Sequence, residues 1–359
     1  MKVGIVGLPN AGKTTLFNAL TRAAAQTATY PFTTVEPNVA IVEVPDQRLA
    51  AVAAAAGASP QVPETIEFHD IAGLVRGASA GEGLGNRFLA EIRETDAICH
   101  VIRAHGDERI PHPEGRIDPV ADAEVVDAEL LLADLEQAEG RLERVRKQAG
   151  PGAKEAAAER DWLERVVEAL GRGEPARRVP VPALAPTAPA ELQALSSKPV
   201  LYVANLDEGQ GEPAAALVEH ARRQDAGCIG VSARIEAELA ELPADQAVEM
   251  RSELGLAESG LERLVRAAYE LLELVTFFTA HRGSEARARA LRRGLTAWDA
   301  AGKVHTDIQA GFVRAEVIGW RELVDAGGYA GARERGTLRL EGRDYTMADG
   351  DVITVKFAP

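Results

Sequence analysis

Residues 2–6 (KVGIV) form a short, apolar, β-branched run. A glycine-rich turn follows at once, and Thr14–Arg22 then has helical character. Comparable runs recur at Asn38–Val44, Thr65–Asp70, Ala97–Ile102, Val200–Ala204 and Cys228–Val231. Several are continuously apolar rather than alternating, as expected of strands buried on both faces. Helix-forming segments separate them, which predicts a wound α/β sheet.

Residues 118–180 break this rhythm. Leu131, Leu135, Ala138, Leu142 and Val145 recur at spacings of 4, 3, 4 and 3, the seam of a coiled coil. Gly150-Pro151-Gly152 must end that helix. A second helical run places Leu163, Val166, Val167 and Leu170 on one face and ends near Gly171–Gly173. An antiparallel helical hairpin inserted into the α/β domain is the simplest arrangement. Residues 174–190, rich in Pro and Ala, read as the return linker. From Val304 to Phe357 the apolar runs are short and alternating (311–317, 337–340, 352–357), broken by Gly and Asp. They predict a small, mostly β domain.

Composition narrows the function. The chain has 359 residues, 46% hydrophobic, with a formal net charge of −15. That balance describes a folded globular chain and excludes a protein that coats nucleic acid over its whole surface. The negative charge lies in the first 280 residues, and residues 281–359 are slightly basic. Arg282, Arg287, Arg289, Arg292 and Arg293 face a single acid, Glu285, within 281–293. This is either a solvated arginine-rich face or a phosphate-contact surface. Two cysteines cannot build a disulfide framework, so a reducing, cytoplasmic setting is expected. No apolar run is long enough to span a bilayer, so no membrane association is expected.

The candidate chemistry begins at Gly7-Leu8-Pro9-Asn10-Ala11-Gly12-Lys13-Thr14, a match to G-x-x-x-x-G-K-[ST] between a strand and a helix. In such a loop, backbone N–H groups of Asn10, Ala11, Gly12, Lys13, Thr14 and Thr15 turn onto phosphates at a helix N-terminus. Lys13 reaches the β- and γ-phosphates, and the Thr14 hydroxyl ligates Mg²⁺. Asp70-Ile71-Ala72-Gly73 follows the next strand. There the Asp holds the Mg²⁺ shell, directly or through water, and the Gly73 amide faces the γ-phosphate. Thr33 and Thr34, in YPFTTVEPN, are candidate switch threonines, with Thr34 expected on the metal.

Asn205-Leu206-Asp207-Glu208 stands where a GTPase places Asn-Lys-x-Asp. The Asp of that motif accepts from guanine N1–H and the 2-amino group, and the Lys stem covers the base. Here Leu206 and Glu208 replace them, so the guanine fork is not reproduced. Adenine lacks the 2-amino group and its N1 is an acceptor, so ATP loses nothing. Ser232-Ala233 would supply the last base-side loop. ATP is therefore expected to be at least tolerated.

Taken together, GLPNAGKTTLFNALT (7–21), YPFTTVEPNVAIVEVPDQRL (30–49), FHDIAGLVRGASAGEGLGNRFLAEIRETDAICHVIR (68–103), NLDE (205–208) and GFVRAEVIGWRELVDAGG (311–328) resemble the YchF / Obg-like ATPase family. The resemblance covers the chain from end to end. It implies a G-domain-like P-loop NTPase core (1–117 and 198–280), a helical coiled-coil insertion (118–197) and a C-terminal TGS domain of β-grasp form (281–359). It implies ATP preferred over GTP, hydrolysis with Mg²⁺, and association with ribosomes or rRNA through the insertion and TGS domain, with no DNA partner. The chain departs from the pattern at Thr33, where a Cys is usual, and at Arg289, where a Trp is common.

Related GTPases place a Gln after D-x-x-G to orient the attacking water, and here Leu74 cannot. His112, between two prolines, matches a loop histidine of the family, and the resemblance implies that it serves in hydrolysis instead. Asn10 matches a P-loop Asn through which some relatives bind K⁺, whose charge would stand in for an arginine finger. His69 and Cys99 read as packed strand residues. Two other readings stay open: an Obg-type GTPase, and a nucleotide-gated RNA- or ribosome-binding regulator in which hydrolysis is incidental.

Overall fold

The structure is a computed structural model, and it describes residues 1–27, 38–71, 84–107, 109–148 and 154–358. The described residues divide into two compact units.

The first unit holds a six-stranded sheet in the order β2 (Val39–Glu43), β4 (Thr65–Asp70), β1 (Lys2–Val6), β5 (Ala97–Ala104), β6 (Val200–Leu206) and β7 (Gly227–Val231). Along the run β4, β1, β5, β6 and β7 each strand is parallel to the next. Parallel strands need crossovers, and crossover helices cover both faces. That is why β1, β5 and β6 are mostly apolar and nearly wholly buried. Helix α1 (Lys13–Thr27) follows the first turn directly. Every expected strand of this sheet is present.

The expected helical hairpin is α4 (Pro119–Gln148) and α5 (Lys154–Gly171), which follow α2 (Arg48–Ala56) and α3 (Leu84–Arg93). α4 serves two cores. Its first half buries Ala123, Val126, Leu130 and Ala133 with Ile98, Ile102, Val200 and Tyr202 of the sheet. Its second half packs Ala138, Leu142 and Val145 against Trp162, Leu163, Val166 and Leu170 of α5. Residues 174–190 are not a bare linker. Ala176, Ala185 and Ala188 are buried against the hairpin, with a 3₁₀ turn at Ala176–Arg178 and a short helix at Ala188–Leu192. Small side chains and prolines lack helical periodicity, so their packing left no pattern to read. Asp134 fastens this return, accepting from the Leu195 and Ser196 amides at 2.7 Å each.

The second unit is built from 269–358 and the segment between β2 and β4. Its sheet has the order β11 (Arg339–Glu341), β10 (Phe312–Gly319), β12 (Asp351–Phe357), β8 (Leu274–Ala280), β9 (Ala286–Arg292) and β3 (Gln61–Val62). β8 and β9 form an antiparallel hairpin, and β12 lies parallel to β8. The mixed sheet with the helix Ala297–Val304 on one face is the expected β-grasp form. The unit starts before residue 281, since β8 is central to it. It also takes in α2, whose Leu49, Val52, Ala53 and Ala56 cover the other face against Phe278, Ile318 and Val352. The arginine cluster is narrower than its sequence suggested. Arg287 pairs with Glu285 at 2.8 Å, and half-buried Arg289 donates to the Lys303 carbonyl. Arg282, Arg292 and Arg293 are exposed. Among the described residues, no helix is long and apolar enough to cross a membrane.

Candidate nucleotide site

In a parallel sheet the loops at the carboxyl ends of the strands gather at one edge, and ligands bind there. The loops after β1, β5, β6 and β7 converge on one cavity of about 670 Å³. Small-ligand sites span roughly 300–1,000 Å³. Asn10, Gly12, Lys13, Thr14 and Thr15 line it from the first loop, with Asn205, Leu206, Glu208, Ser232 and Ala233 from the β6 and β7 loops. All ten were singled out in the sequence.

The P-loop owes its shape to particular residues. Asn10 has φ 63° and Gly12 φ 98°. A Cβ on Gly12 would stand 2.2 Å from Asn205 Nδ2, so only glycine lets these segments meet. Asn205 is buried and bridges the two ends of the site. Its Nδ2 donates to the Ala11 carbonyl at 3.0 Å, and its Oδ1 accepts from the Ala233 amide at 3.0 Å. Ala11 itself is buried beneath the loop rather than lining the cavity. Lys13 is nearly enclosed and donates to the Leu8 carbonyl at 2.8 Å. Burial pushes its pKa down, and the Asp70 charge pushes back up. Asp70 is raised by burial and lowered by Lys13. The two thus sense each other, although Asp70 does not line this cavity. Thr34 and Gly73 lie outside the described residues.

The oxygen chemistry fits a hard divalent cation. Thr14 is exposed and lines the cavity, and Asp70 offers a carboxylate whose charge acts on the lysine that would face phosphate. Asn10 Nδ2 donates to the Pro111 carbonyl at 3.0 Å, so its amide oxygen is the atom left to accept.

Two expected residues sit otherwise than the sequence suggested. Leu206 borders the cavity, yet the residue is only 5% exposed and belongs to the core of the sheet. It ends a strand flanked on both sides, so an apolar side chain there packs inward rather than over a base. His112 is absent from the cavity lining. Its side chain is 5% exposed, with Nε2 2.7 Å from Asp122 Oδ2 and Nδ1 accepting from the Glu114 amide at 3.1 Å. Asp122 lies in the first turn of α4, so His112 tethers the loop to that helix.

The cavity also has walls that the sequence reading passed over: His105, Asp107, Ile110, Asp207 and Arg234. Buried Arg103 shapes the 105–110 loop by donating to the carbonyls of Asp107 at 2.7 Å and Ile110 at 2.8 Å. Asp207 accepts from the Gly106 amide at 2.9 Å. Burial, then Arg103, lowers the His105 pKa and favours a neutral imidazole. Their one legible signal was position, immediately after β5, β6 and β7.

A family model described as "50S ribosome-binding GTPase" matches residues 2–133. A second, YchF-GTPase_C, described as a protein of unknown function, matches 274–358. The "Ribosome-binding ATPase YchF" of Bacillus subtilis (strain 168) is 46% identical over 99% of both chains. The protein of that name from Escherichia coli O157:H7 is 45% identical over 99% of both. The solved "Schizosaccharomyces pombe YchF GTPase" superposes with a TM-score of 0.87 at 33% identity, covering 99% of this chain and 97% of that one.

Proposed function

The chain belongs to the YchF family of P-loop ATPases, and from that membership we propose that it binds ATP in the cavity at the carboxyl ends of β1, β5, β6 and β7 and hydrolyses it. The observation that supports this reading is the convergence of the phosphate loop and the base-side loops on one cavity, tied together by Asn205.

The triphosphate lies along Asn10–Thr15, where backbone N–H groups and the start of α1 favour negative charge. Lys13 leaves the Leu8 carbonyl for the β- and γ-phosphates, and binding a polyanion repays the cost of its burial. Thr14 and Asp70, with Thr34, would hold Mg²⁺, and a monovalent cation such as K⁺ would sit at Asn10. The divalent ion supplies positive charge to the phosphate oxygens where negative charge builds up. His112 orients the attacking water once it leaves Asp122, which makes turnover slow in the tethered arrangement. Adenine is preferred and GTP binds more weakly, because Leu206 is withdrawn into the core and Glu208 is not the short acceptor that guanine requires.

The relatives are named ribosome-binding, and the ribosome is the proposed partner here too, in the cytoplasm, reached through the α4–α5 hairpin and the C-terminal unit. Exposed Arg282, Arg292 and Arg293 are the candidate rRNA phosphate contacts. Equilibrium titration with ATP and GTP tests the core of the proposal. ATP should bind more tightly, and Lys13→Ala should abolish binding. Equal or stronger GTP binding would favour the GTPase reading. Cosedimentation with ribosomes should fall as salt rises.

A further inference from the structure

Arg234 is the second residue of the helix Ala233–Leu239 and lines the cavity beside the base-side loop. Its Nε lies 3.2 Å from Glu208 Oε1 and 3.3 Å from Glu238 Oε1. Glu238 is on the same helix, one turn further on. The guanidinium is therefore held between two carboxylates, one of which belongs to the loop that would meet the base.

Guanine presents two adjacent donors, N1–H and the 2-amino group, and a free carboxylate is the natural acceptor for both. Glu208 is the carboxylate nearest that role. Its extra methylene displaces the acceptor, but the side chain is 53% exposed and could bend to compensate if nothing restrained it. Arg234 supplies the restraint. It occupies one oxygen of Glu208 and sets a positive charge beside it, so guanine would have to break an ion pair to be read. Adenine offers no donor at N1 and has no 2-amino group, so it makes no demand on Glu208.

Resting on the reading of this cavity as an ATP site, we infer that Arg234 is a specificity-determining residue that discriminates against guanine by sequestering Glu208. The discrimination is achieved by obstructing the wrong ligand, with no new contact to the right one. Both nucleotides carry the same ribose and phosphates. Any attraction of Arg234 for the phosphates therefore cancels in the ratio of affinities.

The test is a double-mutant cycle on the full chain, with ADP and GDP affinities measured by calorimetry for the parent, Arg234→Ala, Glu208→Gln and the double variant. The parent should prefer ADP. Arg234→Ala should shift the ratio toward GDP by about five-fold, the scale of an exposed ion pair. In the Glu208→Gln background the same change should shift it by less than about two-fold. An unchanged ratio in Arg234→Ala, or an equal shift in both backgrounds, overturns the inference. A parent chain that binds neither nucleotide overturns the ATP reading instead.

Discussion

Replacing Asn205 by Ala asks whether this side chain serves the ligand or the protein. The substitution removes two buried hydrogen bonds at once, leaving the Ala11 carbonyl and the Ala233 amide without their partner. Orphaning a buried donor or acceptor costs about 1–3 kcal/mol. Two of them put the loss at roughly 4 kcal/mol within the first unit, before any nucleotide is present. Hydrogen exchange is the appropriate assay, since a chain of two units need not unfold in one step. The Ala233 amide should exchange at least about ten-fold faster in the ligand-free variant, ten-fold corresponding to about 1.4 kcal/mol. The ATP affinity should fall as well, because the phosphate loop and the base-side loop lose their common anchor. Ser232→Ala is the control. Its side chain makes no capping bond, and its effect should stay within about 0.5 kcal/mol. If Asn205→Ala abolished ATP binding while Ala233 exchanged as in the parent, Asn205 would act by touching the nucleotide, and its role as a clamp would be refuted.

Three further outcomes are expected. Lys13→Met should abolish ATP binding yet raise the urea midpoint of the ligand-free protein, corresponding to a gain of about 1 kcal/mol in unfolding free energy, because it removes a charge held in a buried position. A lower midpoint would mean that the bond to Leu8 outweighs the burial cost. His100, enclosed between β1 and β6, has its pKa lowered to about 4 from 6.5, chiefly by burial. The unfolded chain takes up a proton between these values and the folded one does not. Stability should therefore be full above pH 6.5 and fall as the pH drops toward 4, and His100→Phe should flatten that slope in urea titrations at several pH values. Finally, Asp122→Ala frees His112 from its tether and should raise ATP turnover, whereas His112→Ala should lower turnover with the ATP dissociation constant unchanged. If single-turnover measurements found both variants equal to the parent, His112 would have no part in hydrolysis.

The sheet, the hairpin and the phosphate loop were legible because each leaves a local signature. Continuous β-branched runs mark strands covered on both faces, and the 4, 3, 4, 3 spacing of Leu131 to Val145 marks a helix with one apolar stripe. The pattern Gly7 to Thr14 is dictated by the need for backbone N–H groups to face a phosphate, a constraint contained within eight residues. Ala-rich stretches were harder. Helix α2 reads RLAAVAAAA, and nothing in those side chains distinguishes one core from another.

By itself, then, the sequence determined the strands of the first sheet, the helical hairpin and the chemistry at the ends of β1 and β6, since these depend on neighbours a few residues apart. The tertiary structure decided the rest. It turned Leu206 into the core, tied His112 to Asp122, drew α2 and β3 into the unit that holds the C-terminal sheet, and set Arg234 against Glu208. Each outcome is a contact between segments distant along the chain, or a competition for space among them. Pairings of that kind depend on where folding brings side chains together, and residue spacing carries no record of it.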